Sequence, residues 1–370
     1  NRGPDDAGSW VDQKTGIAMS HRRLAIQDTS LAGHQPMVSK SGRYVIVYNG
    51  EIYNYRILRR ELKKTGYVFR SQSDTEVLLA AVEVWGLNIA LDKFIGMFAF
   101  ALWDKDNREL YLVRDRVGEK PLYYGLFGNI ILFGSELKAL EVHDSFVKSI
   151  NRDAISLLLR YNYIPAPYSI YDNIYKIKPG TFLAIKVEKQ KISTTEHVYW
   201  SFENAVKSGG SDNKIFSYEE AKFGIKDALT ESVRSQMIAD VPLGAFLSGG
   251  IDSSLIVSIM QSLSSNPIKT YTIGFDHSEY NEANDAKLIA NYLGTEHTEL
   301  YVTASQALDV IPKIPNIFDE PFADSSQIPT YLISKLASSD VTVSLSGDGG
   351  DELFGGYNRY CKGYSAWKNL

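Results

Sequence analysis

The stretch Leu247-Ser248-Gly249-Gly250-Ile251-Asp252-Ser253-Ser254 decides how this chain is read. It sits between a short apolar run, Leu243 to Leu247, and a helical pattern from Asp252 to Leu263. A buried-type strand therefore hands over to a helix through two glycines. Glycine allows a sharp backbone turn and puts no side chain in the way. Main-chain N–H groups can then converge on an anion, backed by the positive end of the helix. Ser248, Ser253 and Ser254 add hydroxyls. Asp252 would repel a bare phosphate, which assigns it to a magnesium ion shared with phosphate oxygens. The Gly-Lys-Ser/Thr ending of a Walker loop is missing. The bland alternative is a glycine turn with Ser and Asp helix caps. The full string at a strand-to-helix junction weighs against it.

Strands and helices alternate on both sides of this loop. Helical patterns run over Tyr218 to Ala239, Asn281 to Leu293 and Gln327 to Ala337, and strands over Lys269 to Phe275, His297 to Val302 and Val341 to Leu345. This rhythm predicts a parallel sheet wound with helices. A second glycine-rich string, Ser346-Gly347-Asp348-Gly349-Gly350-Asp351-Glu352-Leu353-Phe354-Gly355-Gly356-Tyr357, follows the last strand. So many acids among glycines are costly in a plain loop, and a metal–phosphate site would neutralise them. The alternative is a solvated acidic turn.

The first half reads differently. Tyr44 to Tyr48 predicts a strand ending at Asn49-Gly50, a turn signal. Helices are expected over Tyr55 to Lys64 and from Ser73-Asp74-Thr75-Glu76, where Ser73 and Glu76 could form a capping box. Met97 to Asp104, Glu109 to Arg114, Leu122 to Leu126 and Ile130 to Phe133 read as consecutive strands. Sheets packed together and covered by helices follow from this composition. Pro165, Pro167, Pro179 and Gly180 punctuate an irregular stretch, and Ser208 to Asn213 reads as a linker. The expected domains are residues 1–200 and 216–370, joined by 201–215.

Bulk properties narrow the function. The 370 residues are too many for one ordinary core, with 44% hydrophobic and 22% charged residues and a net charge of -5. A mildly acidic chain is a poor candidate for broad nucleic-acid binding, but one nucleotide needs only a local cluster of donors. The single cysteine, Cys361, fits a reducing compartment such as the cytosol. Phe94 to Trp103, the longest apolar run, is too short to span a bilayer. The chain starts at Asn1 and is expected to be a piece of a longer protein.

Ser248-Gly249-Gly250-Ile251-Asp252-Ser253 resembles the pyrophosphate loop of the ATP pyrophosphatases that make acyl-adenylates. The string from Leu345 to Tyr357 resembles the asparagine synthetase segment that faces ATP. Asn49-Gly50-Glu51-Ile52-Tyr53-Asn54, with Arg2-Gly3-Pro4-Asp5-Asp6, His21-Arg22-Arg23-Leu24 and Ser73-Asp74-Thr75-Glu76, resembles the class II glutamine amidotransferase domain. The likeness spans nearly the whole chain in the asparagine synthetase family's domain order. It implies an αββα sandwich of the Ntn type followed by a doubly wound, HUP-like ATP-pyrophosphatase domain. It implies ATP and Mg2+, with glutamine hydrolysed in the first domain and ammonia passed to an acyl-adenylate in the second. Aspartate is the favoured acceptor. A uronic acid, or a non-catalytic glutamine- or nucleotide-binding relative, is the alternative.

Residue by residue, the resemblance gives Arg23 the glutamine carboxylate and Asp74 its amine. Asn49, Gly50 and Glu51 line the side chain, and Asn49 with Gly50 could supply two oxyanion donors. Leu247, Ser248, Gly249, Gly250, Asp252, Ser253, Ile273, Ser346 and Gly347 would bind ATP. Asp252 and Asp351 would hold the metal, and Asp348 would face the adenylate. That position often carries glutamate. Phe318 to Ser326 would lie near the acceptor. The family's N-terminal cysteine nucleophile is not in this sequence, and Cys361 falls in the wrong half to replace it. Related enzymes are often dimers, but no interface is legible here. The ligase reading requires that the glycine segments at 249–250 and 347–350 share one cleft.

Overall fold

The computed structural model describes residues 2–188, 191–211, 216–275 and 282–368. Asp212-Asn213 of the expected linker, Asp276 and Asn281 lie outside these, as does the side chain of Cys361. The chain divides into two compact units. Unit 1 comprises Asn1–Ile215 and Pro315–Asp324; unit 2 comprises Phe216–Ile314 and Ser325–Leu370.

Unit 1 is built on antiparallel sheets. Its strands are β1 (Asp6–Asp12), β2 (Ile17–Arg23), β3 (Met37–Val38), β4 (Tyr44–Ile52), β5 (Gly96–Asp104), β6 (Glu109–Arg114), β7 (Tyr123–Phe127), β8 (Ile130–Gly134), β9 (Ile174–Lys176), β10 (Thr181–Glu188) and β11 (Lys191–Val198). The central sheet has the order β11-β10-β6-β5-β4-β3, with β1-β2 and β8-β7-β9 as smaller sheets. Side chains on β5 alternate between faces. Ala99, Ala101 and Trp103 join Val45, Leu110, Leu112, Leu183 and Ile185 in one buried cluster, against Met19 of β2 and Leu122. Phe98, Phe100 and Leu102 are equally buried on the opposite face. The helix Asp74–Trp85 packs against β4 and against the helix Tyr55–Lys64. Helix, sheet and sheet thus form successive layers, and the short helix Leu137–Glu141 packs beyond β8.

Three local expectations are corrected. Asn49-Gly50 is not a turn: β4 continues to Ile52, with Gly50 opposite Phe98 of β5. A β-carbon at Gly50 would come within 2.1 Å of the Met97 carbonyl oxygen, so close strand approach accounts for this glycine. Ser73 caps its helix by accepting from Thr75 N–H at 3.1 Å, but Glu76 does not complete a box. Its carboxylate instead accepts from Arg70 N–H, Ser71 N–H and the Ser71 hydroxyl. The stretch read as a linker is helical over Phe202–Ser211. Ser201 accepts from Asn204 N–H at the start of that helix, and Lys207 pairs with Glu203 one turn away. The sequence reading also missed β1, β3, β9, β10 and β11, and gave β2 no bounds.

Unit 2 carries the parallel sheet. Its strands are β12 (Leu243–Phe246), β13 (Lys269–Phe275), β14 (Glu296–Val302) and β15 (Val343–Leu345), in the order β14-β13-β12-β15. All three pairings are parallel. Ala245 and Leu247 pack with Val257 and Met260 of the helix Ile251–Leu263 and with Ala286 and Ala290 of the helix Ala283–Leu293. On the other face Phe246 and Tyr271 pack with Ile333 and Ala337 of the helix Gln327–Ala337. Helices therefore cover both faces, as a parallel sheet requires. The sheet is doubly wound. From β12 the chain moves outward to β13 and β14, then returns to β15 on the opposite side. The strand order reverses between β12 and β15, and ligands of open parallel sheets bind beyond the carboxyl ends at such a point.

Candidate active site

In unit 2, the segments after β12 and β15 flank the reversal point. Gly249 has φ +83°, the left-handed region that favours glycine, and a β-carbon there would lie 3.0 Å from Asp285 Cβ. The loop is closed by its own hydroxyls. Ser248 N–H donates to Ser253 Oγ at 3.2 Å, Gly250 N–H to Ser248 Oγ at 3.3 Å, and Ser254 Oγ to the Gly250 carbonyl at 2.6 Å. Ser253 is buried, whereas Ser248 and Gly250 are exposed. Leu247 is fully buried in the core, and its N–H extends the ladder to the Tyr271 carbonyl at 2.9 Å. Leu247 therefore leaves only backbone at the start of the loop. Ile273 on β13 is partly exposed.

The acidic loop packs directly on this turn. A β-carbon at Gly347 would fall 2.7 Å from Ser253 N, and one at Gly350 would fall 2.6 Å from the Asp252 carboxyl carbon. Glycine at 347 and 350 is what lets the two loops touch. The two glycine segments thus lie against each other, as the ligase reading needs. Ser346 Oγ donates to Asp348 Oδ2 at 2.9 Å, and both Asp348 and Gly349 are exposed. Asp351 opens the short helix Gly350–Phe354, and its carbonyl accepts from Gly356 N–H at 3.0 Å.

In unit 1, β4 wraps around one carboxylate. Asp74, buried at the start of its helix, accepts from Ile52 N–H at 3.0 Å and from the Tyr48 hydroxyl at 2.8 Å. Burial raises its pKa, and these donors oppose the rise. Glu51 is also buried, and its pKa rises to about 7. Desolvation is the main cause, the Asp74 charge adds to it, and Lys120 and a bond with Gln27 work against it. Asn49 Nδ2 lies 3.5 Å from Ser135 Oγ.

Arg23 and Arg22 point opposite ways along β2, with Arg23 buried and Arg22 exposed, as strand alternation predicts. The Arg23 guanidinium donates to the carbonyls of Gln27, Asp28 and Ser30 at 3.1, 2.5 and 3.1 Å. It thereby shapes the 27–30 loop that carries Gln27 to Glu51. Asp28 of that loop accepts from Gln72 N–H at 2.7 Å, beside Asp74. Asp5 accepts from Ala25 N–H at 2.8 Å, tying the first residues to the same loop. Arg23, Glu51 and Asp74 are thus joined through one short loop. Sequence reasoning missed Gln27, Lys120, Ser135 and Tyr48, which no local pattern marks.

The family comparisons divide the chain in the same order. A glutamine amidotransferase domain family matches residues 1–200, and an asparagine synthase family matches residues 224–370. The glutamine-hydrolysing asparagine synthetase 1 of Bacillus subtilis is 38% identical over 97% of this chain. A putative glutamine-hydrolysing asparagine synthetase 2 of Methanocaldococcus jannaschii is 37% identical over 98% of it. The chain belongs to the asparagine synthetase family. It spans 54% of the first relative's length and 72% of the second's. A glutamine phosphoribosylpyrophosphate amidotransferase structure from B. subtilis is a looser match, at TM-score 0.37 and 15% identity over 80% of this chain and 78% of that one. Among the described residues no helix is long and apolar enough to cross a membrane.

Asp319 and Glu320 belong to the stretch expected near the acceptor, and their carboxylates are engaged inside unit 1. Asp319 accepts from Leu137 N–H, and Glu320 pairs with Lys176.

Proposed function

We propose that this chain forms the glutaminase unit and the nucleotide-binding part of a glutamine-hydrolysing asparagine synthetase. The reaction is L-aspartate, L-glutamine, ATP and water to L-asparagine, L-glutamate, AMP and pyrophosphate through β-aspartyl-AMP. The observation that carries this reading is the contact of Gly347 and Gly350 with Asp252 and Ser253 at the strand-order reversal.

The geometry supports the following roles. Backbone N–H groups at Gly249 and Gly250, the N-terminus of the helix Ile251–Leu263 and Ser248 would hold the β- and γ-phosphates. Ser346 and Gly347 would face the nucleotide, Ile273 the base, and Asp348 the adenylate and incoming ammonia. The described residues hold no group of three or more acidic, histidine or cysteine ligands. Asp252 and Asp351 suit magnesium, which typically takes one or two carboxylates and completes its shell with phosphate oxygens and water. When bound, the ion would neutralise charge developing on the phosphates.

In unit 1, Asn49 Nδ2 and Gly50 N–H would stabilise the oxyanion formed when glutamine is attacked. Asp74 would take the substrate ammonium, whose charge would favour its ionised form. A substrate carboxylate at Arg23 would share a five-donor guanidinium with the 27–30 loop. Glu51 would line the side-chain amide.

The deciding experiment supplies the full-length gene product with ATP, glutamine and a panel of carboxylates. AMP and pyrophosphate should appear with aspartate. ADP and phosphate would overturn the adenylate mechanism. Turnover on another carboxylate but not on aspartate would move the assignment to a different amide.

A further inference from the structure

Asp319 and Glu320 lie outside the two glycine loops, and among the described residues Glu320 with Lys176 is the most buried ion pair of unit 1 beyond its central sheet. Glu320 Oε2 lies 2.5 Å from Lys176 Nζ, with 10% and 13% of the two side chains exposed. Glu320 Oε1 accepts from Ile170 N–H at 2.8 Å, and Lys176 Nζ donates to the Ile164 carbonyl at 2.6 Å. Asp319 Oδ2 accepts from Leu137 N–H at 3.0 Å, while Oδ1 lies 3.3 Å from Lys138 Nζ. Leu137 is two residues past Ser135, the partner of Asn49 Nδ2. Leu137 and Leu140 pack with Tyr123 and Ile174, so this corner is anchored from both sides.

Burying such charges costs several kcal/mol, and apolar replacements of buried pairs often match or exceed their stability. A need for fixed position explains their presence better than stability does. The segment Pro315–Asp324 also has an unusual connection: its flanks, ending at Ile314 and resuming at Ser325, both belong to unit 2.

We propose that Asp319 and Glu320 are positioning residues for glutamine hydrolysis. They fix residues 135–138, and through Ser135 the side-chain amide of Asn49. This inference rests on the reading of Asn49 as an oxyanion donor.

The test uses the full-length gene product, with Glu320→Gln and Asp319→Asn. Each should lower kcat for glutamine hydrolysis about tenfold, the equivalent of one charge-assisted hydrogen bond in the transition state. The KM for glutamine should stay within about twofold. Ammonia-dependent AMP formation should be unchanged. If Glu320→Gln does not fold, the Lys176→Met, Glu320→Gln pair, neutral on both sides, takes its place. Unchanged hydrolysis overturns the proposal, as does a parallel fall of the ammonia-dependent rate. Hydrogen exchange decides the positioning claim even if the wild-type protein makes no asparagine. Faster exchange at residues 135–138 and 50–52 in Glu320→Gln supports it, and unchanged exchange there overturns it.

Discussion

At the scale of single residues, the candidate site is set by burial and by missing side chains. Glu51 shows the first. Its folded pKa of about 7 lies above the 4.5 of an ordinary glutamate. Folding therefore takes up a proton between those values, and the contribution of Glu51 to stability falls as pH rises through that window. Glu51→Gln should remove this slope and stabilise the fold at pH 8 by up to roughly 3 kcal/mol, the equivalent of the pKa rise. Urea midpoints of both proteins at pH 4.5 and pH 8 check this, and a constant difference between them would contradict it. Gly347 shows the second. Gly347→Ala forces a β-carbon against the Ser253 and Asp252 backbone, which cannot swing aside. The expected cost is about 1–3 kcal/mol, with loss of ATP binding. Gly250→Ala is the contrast. Its β-carbon would meet only the Ser248 hydroxyl at 3.3 Å, so the fold should tolerate it within about 1 kcal/mol, the usual scale of a helix cap. Equilibrium unfolding and nucleotide titration separate the two.

Among elements, Glu76 ties the turn before its helix to the helix start. Three donors from residues 70–71 meet its carboxylate, which is 3% exposed. Glu76→Ala should cost about 3 kcal/mol or more, because it strands buried donors and loosens the turn before Asp74. Denaturation curves would show the loss, and a raised KM for glutamine would show the displaced Asp74. The sequence placed Glu76 correctly at a helix start but paired it with the wrong donors, since the capping pattern cannot tell which turn folds back. Elements specified by unbroken local patterns were legible: Lys269–Phe275, Gln327–Ala337 and Tyr55–Lys64 have the expected bounds. Asn49-Gly50 was misread because the same dipeptide serves a tight turn and a crowded strand. Only the neighbouring strand decides between them, and Met97 and Phe98 lie far along the chain. The strand-to-helix turn at 247–251 was legible because its residues are contiguous. Ser135, Lys120 and Gln27 were not, because each acquires meaning only from a partner brought in by the fold.

For the whole molecule, the boundary between the units is not a single point in the sequence. A cut near residue 215 looks natural, since the family matches fall on either side of it. Yet unit 1 is completed by Pro315–Asp324. Residues 1–215 expressed alone would lack Glu320 and Asp319. Lys176 would remain largely buried beside Tyr123 without its carboxylate, and the N–H groups of Leu137 and Ile170 would lose their acceptors. An uncompensated buried charge of this kind costs about 3–5 kcal/mol. The fragment should therefore unfold at a much lower urea concentration than unit 1 does in the intact chain. Lys176→Met should recover part of the loss in the fragment, because it removes the stranded charge while filling similar space. In the intact chain the same change should destabilise, because it leaves Glu320 unpaired. Opposite signs for one substitution in two contexts would mark the segment as a structural part of unit 1; equal signs would show that the ion pair does not hold it there.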